Sequence, residues 1–134
     1  MAGRVALDTT FLIDLQRERA RENAEGSAHR FLAEDPGLEL HLSTVALGEF
    51  AEGFEDKDHP VLRVVRELHV LLPVDEATAL TYGALTRGLR RQGRLIGTND
   101  LWIAAASVRH GLPLVTANPA DFGRVDGLQV VVYR

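Results

Sequence analysis

Four acidic residues stand where predicted strands end or predicted helices begin. Asp8 follows the first apolar run of the chain, and Glu49 lies in the first turns of the helix after the second predicted strand. Asp100 opens a strongly apolar helix, and Asp121 follows a late strand. In parallel α/β sheets the carboxyl ends of the strands meet at one edge, where ligands usually bind. The sequence therefore predicts that the four carboxylates come together.

Each acid also has a structural explanation of its own. Asp8 precedes Thr9 and Thr10, which is a common arrangement for capping a helix, and Asp100 in a first helical turn favours the helix dipole by about 0.3–1 kcal/mol. Carboxylates gathered in one place repel, however, unless a cation neutralises them. Oxygen ligands without Cys or His favour Mg²⁺ or Mn²⁺. Such a cluster is suited to in-line phosphoryl transfer to water.

The elements that must position these acids alternate between strand and helix along the whole chain. This order predicts a three-layer α/β/α fold with a central, mostly parallel sheet of four to five strands. The predicted strands cover residues 5–7, 38–43, 70–74, 114–116 and 128–133. A long amphipathic helix is predicted over 75–91, with Ala77, Leu80, Ala84 and Leu85 on its core side. Thr98 or Asn99 is predicted to cap the next helix, which is apolar almost all round and ends at Gly111.

Composition limits the class of protein. The 134 residues suit one domain, and 46% hydrophobic and 25% charged residues are typical of a globular chain. The sequence has no cysteine, which excludes disulfides and thiolate metal sites. It has no signal peptide pattern and no apolar run long enough for a membrane span, so we expect a cytoplasmic protein. The net charge of -4 argues weakly against general nucleic-acid binding but permits a local basic face.

Three segments, in this order, resemble the PIN domain family and most closely its VapC-type toxins: VALDTTFLIDL, STVALGEFAEGF and GTNDLWIAAASVRHGLPLVTANPADFGRVDGLQVV. The resemblance implies one PIN-like nuclease domain over 1–134. It implies that Asp8 and Asp100 are the main metal ligands and that Glu49 acts directly or through water. Thr9 and Thr116 match the supporting hydroxyl positions.

The fourth acid departs from the common pattern of the family. Many relatives have Asp at the position of Asn118, whereas here the carboxylate comes three residues later, at Asp121. The Asn118 carbonyl can also ligate a cation. Which of the two residues completes the metal site stays open at this point, as does the choice between one ion and two.

The function implied by the resemblance is that of an endoribonuclease that requires Mg²⁺, with Mn²⁺ as a substitute. It would be the toxin of a type II toxin-antitoxin system and would leave 5′-phosphate and 3′-hydroxyl ends. The implied partners are an RNA substrate, a small antitoxin and a second copy of the chain, with no membrane. The sequence names neither the RNA nor the antitoxin.

Two other functions remain open. One is a phosphoacceptor signalling domain, which would need an acidic neighbour beside Asp8 and a lysine late in the chain, whereas the only lysine is Lys57. The other is a catalytically inactive PIN-like module that only binds a partner protein. The five histidines show no metal-ligand spacing, so we expect packing or surface roles for them.

A cluster of four arginines precedes the segment of Asp100: Arg87, Arg90, Arg91 and Arg94. Such a cluster is usually a solvated helix end. It also runs into the entrance of the predicted site at residues 97–100, where it can meet RNA phosphates.

Overall fold

A computed structural model describes residues 3–134 of the chain, which form five strands and seven helices. The strands are β1 (Arg4–Leu7), β2 (Glu39–Ser43), β3 (Val70–Leu72), β4 (Leu114–Thr116) and β5 (Val130–Val132). The helices are α1 (Thr9–Ala20), α2 (Ser27–Glu34), α3 (Thr44–Ala51), α4 (Pro60–Leu68), α5 (Glu76–Arg91), α6 (Thr98–His110) and α7 (Pro119–Phe122).

The strands form one parallel sheet in the order β3-β2-β1-β4-β5. Strand β1 is central, and Ala6 pairs with His41 of β2 on one side and with Leu114 of β4 on the other. The predicted α/β fold with a parallel sheet of four to five strands is confirmed. Because β1 and β4 are neighbours, residues 8 and 116 leave the sheet side by side.

Local signals in the sequence account for several helix ends. The Ser43 hydroxyl accepts a hydrogen bond from the Ala46 N–H at 3.0 Å and caps α3, and Asp75 caps α5 by accepting from the Thr78 N–H at 2.8 Å. Gly111 ends α6 with φ of 64°, a left-handed conformation that favours glycine.

Helix α6 lies at the heart of the core, as its all-round apolar sequence predicted. Leu101 and Ile103 of α6 are almost fully buried, as are Leu7 of β1, Phe11 of α1 and Val115 of β4. Among the helices of residues 3–134, none has the length and apolar character needed to cross a membrane.

Two predictions about helix faces and caps are wrong. Leu80 is 70% exposed and Ala84 is exposed, because α5 packs mainly through Thr78 and Leu89. Leu85 of the predicted face does pack against the core. The side chains of Thr98 and Asn99 do not cap α6, since the helix begins after Gly97 and has no side-chain cap.

Candidate active site

Asp8 lies at the carboxyl edge of the sheet, directly after β1. Its side chain is 4% exposed and accepts a 2.8 Å hydrogen bond from the Thr116 hydroxyl at the end of β4. Asp8 occupies the N-cap position of α1, but no side-chain capping hydrogen bond is formed there. A buried carboxylate fixed by one neighbouring strand faces the crevice where α/β sheets bind ligands.

Burial raises the pKa of Asp8 above its ordinary value. The hydrogen bond from Thr116 and the nearby backbone N–H groups of Thr9 and Thr10 partly offset this effect, while the charge of Glu49 adds to it. The protein thus keeps this acid in surroundings that disfavour its charge. A cation beside it would reverse that preference.

Glu49 reaches the same edge from α3 and is held at both oxygens. The Thr9 hydroxyl donates to Oε1 at 2.7 Å, and the Asn99 side-chain amide donates to Oε2 at 3.3 Å. Thr9, the residue after Asp8, therefore holds Glu49 close to the end of β1. The contact of Asn99 was not predicted, because the local sequence around this residue indicated only a helix cap.

The pKa of Asp100 is affected by the charges of the three other acids. Burial, followed by the charges of Asp8, Glu49 and Asp121, raises its pKa to about 6. All four predicted acids are thus close enough to interact, although they come from four different segments of the chain. This mutual repulsion is the property expected of carboxylates that share a cation.

Asp121 and Asn118 are hydrogen-bonded to each other at the start of α7. The Asn118 carbonyl oxygen accepts from the Asp121 N–H at 3.3 Å, and its amide donates to Asp121 Oδ2 at 3.1 Å. The other Asp121 oxygen lies 3.8 Å from the Arg124 guanidinium. Because its carbonyl is used in capping α7, Asn118 is less available as a ligand than the Asp121 carboxylate.

The donor set suits a hard divalent cation. It consists of carboxylate oxygens supported by hydroxyl and amide groups, without sulfur or imidazole. Within residues 3–134, no group of three or more Asp, Glu, His or Cys side chains lies close enough together to hold a metal ion by itself. Mg²⁺ commonly uses one or two carboxylates and completes its shell with water, so a spaced set of acids fits this ion better than a cage would.

The four arginines of the predicted basic cluster are exposed and do not contact the acids. They lie at the end of α5 and in the loop that leads to α6. The histidines stand apart as well: His29 pairs with Glu18 and His41 with Glu39, and neither bonds any of the four acids.

Comparison with known proteins agrees with this architecture. The family model described as PIN domain matches residues 5–128. The chain belongs to the PIN domain family. A relative named Ribonuclease VapC1, from Haemophilus influenzae, is 31% identical over 129 residues, which cover 92% of each chain.

Two solved structures share this fold over nearly their whole length. The structure of VapBC-1 from nontypeable Haemophilus influenzae matches with a TM-score of 0.77 and 29% identity, covering 97% of this chain and 98% of that one. A toxin-antitoxin complex from Klebsiella pneumoniae matches with a TM-score of 0.71 and 26% identity, over 97% and 98% of the two chains. The resemblance to VapC-type proteins therefore extends over nearly the whole PIN domain.

Proposed function

We propose that this PIN domain is an endoribonuclease that requires Mg²⁺ or Mn²⁺ and acts as the toxin of a type II toxin-antitoxin pair. The observation that carries the proposal is that Glu49 is hydrogen-bonded both to Thr9, the neighbour of Asp8, and to Asn99, the neighbour of Asp100, so that three acids from distant segments share one edge of the sheet. The relatives named ribonuclease supply the class of substrate. The cluster supplies a chemical means of hydrolysing it.

In this proposal Asp8 and Asp100 hold the cation, with Glu49 and Asp121 acting directly or through water. A bound Mg²⁺ would activate water and stabilise the leaving 3′-oxygen. The remaining contacts keep the acids in position. Thr116 holds one oxygen of Asp8, while Thr9 and Asn99 fix both oxygens of Glu49.

The placement of the histidines favours this chemistry over the metal-free alternative. Ribonucleases that work without metal recruit the 2′-hydroxyl of the RNA and commonly use histidines as acid and base. No histidine of residues 3–134 hydrogen-bonds one of the four acids. We therefore expect water to be the nucleophile and the products to carry 5′-phosphate and 3′-hydroxyl ends.

An antitoxin is the proposed protein partner. An open groove of about 240 Å³ includes Glu49 of the site in its lining, together with the apolar residues Ile13, Phe50 and Phe54 and the cationic Arg17. An amphipathic segment could bury its apolar side there and present a cationic side chain to the carboxylates. A second copy of the chain is the other proposed protein partner. Light scattering would measure the mass of the protein in solution and so test for the dimer.

The test is RNA cleavage by the purified protein. We expect cleavage of labelled single-stranded RNA in Mg²⁺ or Mn²⁺, and its loss in the Asp8→Asn and Asp100→Asn variants. Asp58→Asn removes an exposed acid outside the cluster and is the matched control. If the wild-type protein leaves RNA intact with either ion but still captures the product of a neighbouring antitoxin gene, the chain is the inactive binding module instead.

A further inference from the structure

The end of helix α5 carries a concentrated positive charge that the proposed cleavage site does not use. Arg87, Arg90, Arg91 and Arg94 are all exposed. None of the ion pairs among residues 3–134 involves these four side chains. In a chain of net charge -4, four unpaired arginines within eight positions make a distinct local surface, which we call the α5 arginine surface.

Helices α5 and α6 run antiparallel, which places this surface beside the carboxylates. The Tyr82 and Trp102 rings stack with their centroids 3.8 Å apart and an angle of 11° between their planes. At the other end of the pair, Asp75 has its pKa lowered mainly by hydrogen bonds from Thr78 and, more weakly, by Arg109 and His110 at the end of α6. The start of α5 thus lies near the end of α6.

It follows that the end of α5 lies near the start of α6, where Asn99 and Asp100 stand. The chain passes between the two helices through residues 92–97 only, and Gly93 makes the turn with φ of 64°. The Arg94 N–H donates to the Leu89 carbonyl at 2.9 Å, which closes the end of α5. The arginine surface is therefore held on a capped helix next to the cluster of acids.

Arg124 is a further basic residue near the end of α5. It lines a cavity of about 130 Å³ together with Gly88 and Gln92 of α5 and with Asp126. Arg124 in turn lies 3.8 Å from the Asp121 carboxylate. Arg124 thus lies near both the end of α5 and the Asp121 carboxylate.

The position of these arginines has a structural use as well. Cations near the last turn of a helix favour its dipole by about 0.3–1 kcal/mol, and Arg90 and Arg91 occupy that turn. The dipole does not account for Arg87, a full turn earlier, or for Arg94, beyond the helix end. A polyanion that must approach four carboxylates needs compensating positive charge close by, because unscreened repulsion reaches about 10 Å at 0.1 M salt.

We infer that the α5 arginine surface binds the phosphate backbone of the RNA substrate on one side of the scissile bond, with Arg124 continuing it toward Asp121. The inference rests on the proposed ribonuclease function and adds the surface by which the substrate is held. It assigns the four arginines to binding and not to the chemical step. Removing them should therefore weaken substrate affinity and leave turnover intact.

The experiment compares two double variants that remove the same charge. Arg91→Gln with Arg94→Gln changes the α5 surface. Arg63→Gln with Arg66→Gln changes exposed, unpaired arginines of α4, the helix that precedes the edge strand β3. We expect the first pair to raise KM for single-stranded RNA about tenfold with kcat within about twofold of wild type. The second pair should leave both constants unchanged.

Binding in the Asp8→Asn background gives a readout that cleavage does not affect. The anisotropy of fluorescein-labelled RNA is measured from about 50 to 200 mM KCl, and two lost phosphate contacts should reduce the salt slope by about 1.4. Arg91→Lys with Arg94→Lys keeps the charge and should restore most of the affinity. This arm separates phosphate binding from a loss of helix stability.

The outcomes distinguish this inference from the proposed function. If no variant and no wild-type preparation cleaves RNA, the ribonuclease proposal fails. If the wild type cleaves RNA and the α5 variant keeps its KM and salt slope, the inference about the surface is wrong while the ribonuclease proposal stands. Loss of antitoxin inhibition with KM unchanged would make the surface a protein-binding one and would also overturn the inference.

Discussion

Replacing Asp100 by asparagine should stabilise the metal-free protein at neutral pH. The pKa of Asp100 is raised from 3.8 to about 6 by burial and by three neighbouring carboxylates. A raised folded-state pKa means that stability is fully present below the unfolded pKa and is lost as the pH rises through about 6. At pH 8 the ionised side chain therefore costs the fold free energy that a neutral asparagine side chain would not.

The size of this effect follows from the pKa difference. A shift of about 2 units corresponds to about 3 kcal/mol, and partial exposure of the group to solvent reduces this to about 1–2 kcal/mol. Urea denaturation in EDTA at pH 8 and at pH 4.5 measures it. The variant should exceed the wild type at pH 8, and the two should converge as the pH falls.

Mg²⁺ should reverse the order of the two proteins. At about 100 times its dissociation constant the ion would stabilise the wild type by about 2.7 kcal/mol through mass action, and Asp100→Asn should lose most of this increment. Asp58→Asn, an exposed acid, serves as the matched control in both buffers. The reasoning is refuted if the variant gains nothing at pH 8 in EDTA, or if the wild type melts identically with and without Mg²⁺ and Mn²⁺.

Three further predictions follow from single contacts. Thr116→Val removes the buried hydroxyl donor to Asp8 and should lower the free energy of unfolding by about 1–3 kcal/mol. Because this hydrogen bond lowers the pKa of Asp8, its loss should also move the acid limb of the pH–rate profile to higher pH. An unmoved limb would contradict the role of this contact. Ser43→Ala removes the cap of α3 and should lower the free energy of unfolding in urea by about 1 kcal/mol, whereas an unchanged midpoint would show that the cap is dispensable. Tyr133→Phe removes the 2.6 Å hydrogen bond to Asp14 and should cost about 1–2 kcal/mol at pH 7. Burial raises the pKa of Asp14, but hydrogen bonds from Tyr133 and Arg134 outweigh burial and lower this pKa below 3.8. The loss of stability in Tyr133→Phe should therefore diminish as the pH falls below 3.8 and Asp14 becomes protonated. A loss of stability that does not depend on pH would contradict this role of the hydrogen bond.

The sequence predicted the sheet because apolar runs stop abruptly at polar residues. Asp8 ends the run of β1 and Ser43 ends the run of β2, so both strand ends could be read from residue type alone. The convergence of the acids followed from the parallel topology, since carboxyl ends of parallel strands share one edge. The roles of the individual acids in metal binding remain predictions.

Contacts between distant segments could not be read in the same way. The hydrogen bond from Asn99 to Glu49 joins α6 to α3 and connects residues that are 50 positions apart. The local sequence indicated only a capping role for Asn99. Part of the apolar stripe of α5 was misassigned, because Leu80 had the right spacing but is exposed to solvent. The short helix α7 was not predicted, because Asn118, which caps it, was interpreted as a possible metal ligand and not as the start of a helix.

Mapping the ends of the cleaved RNA tests the central claim most directly. The protein is incubated with labelled single-stranded and hairpin RNA in Mg²⁺ or in EDTA, and both ends at the cut are identified. A water nucleophile at a carboxylate-bound cation predicts 5′-phosphate and 3′-hydroxyl ends, no need for a 2′-hydroxyl at the cut, and no products in EDTA or with Asp8→Ala. A 2′,3′-cyclic phosphate, or cleavage that continues in EDTA, would contradict the account.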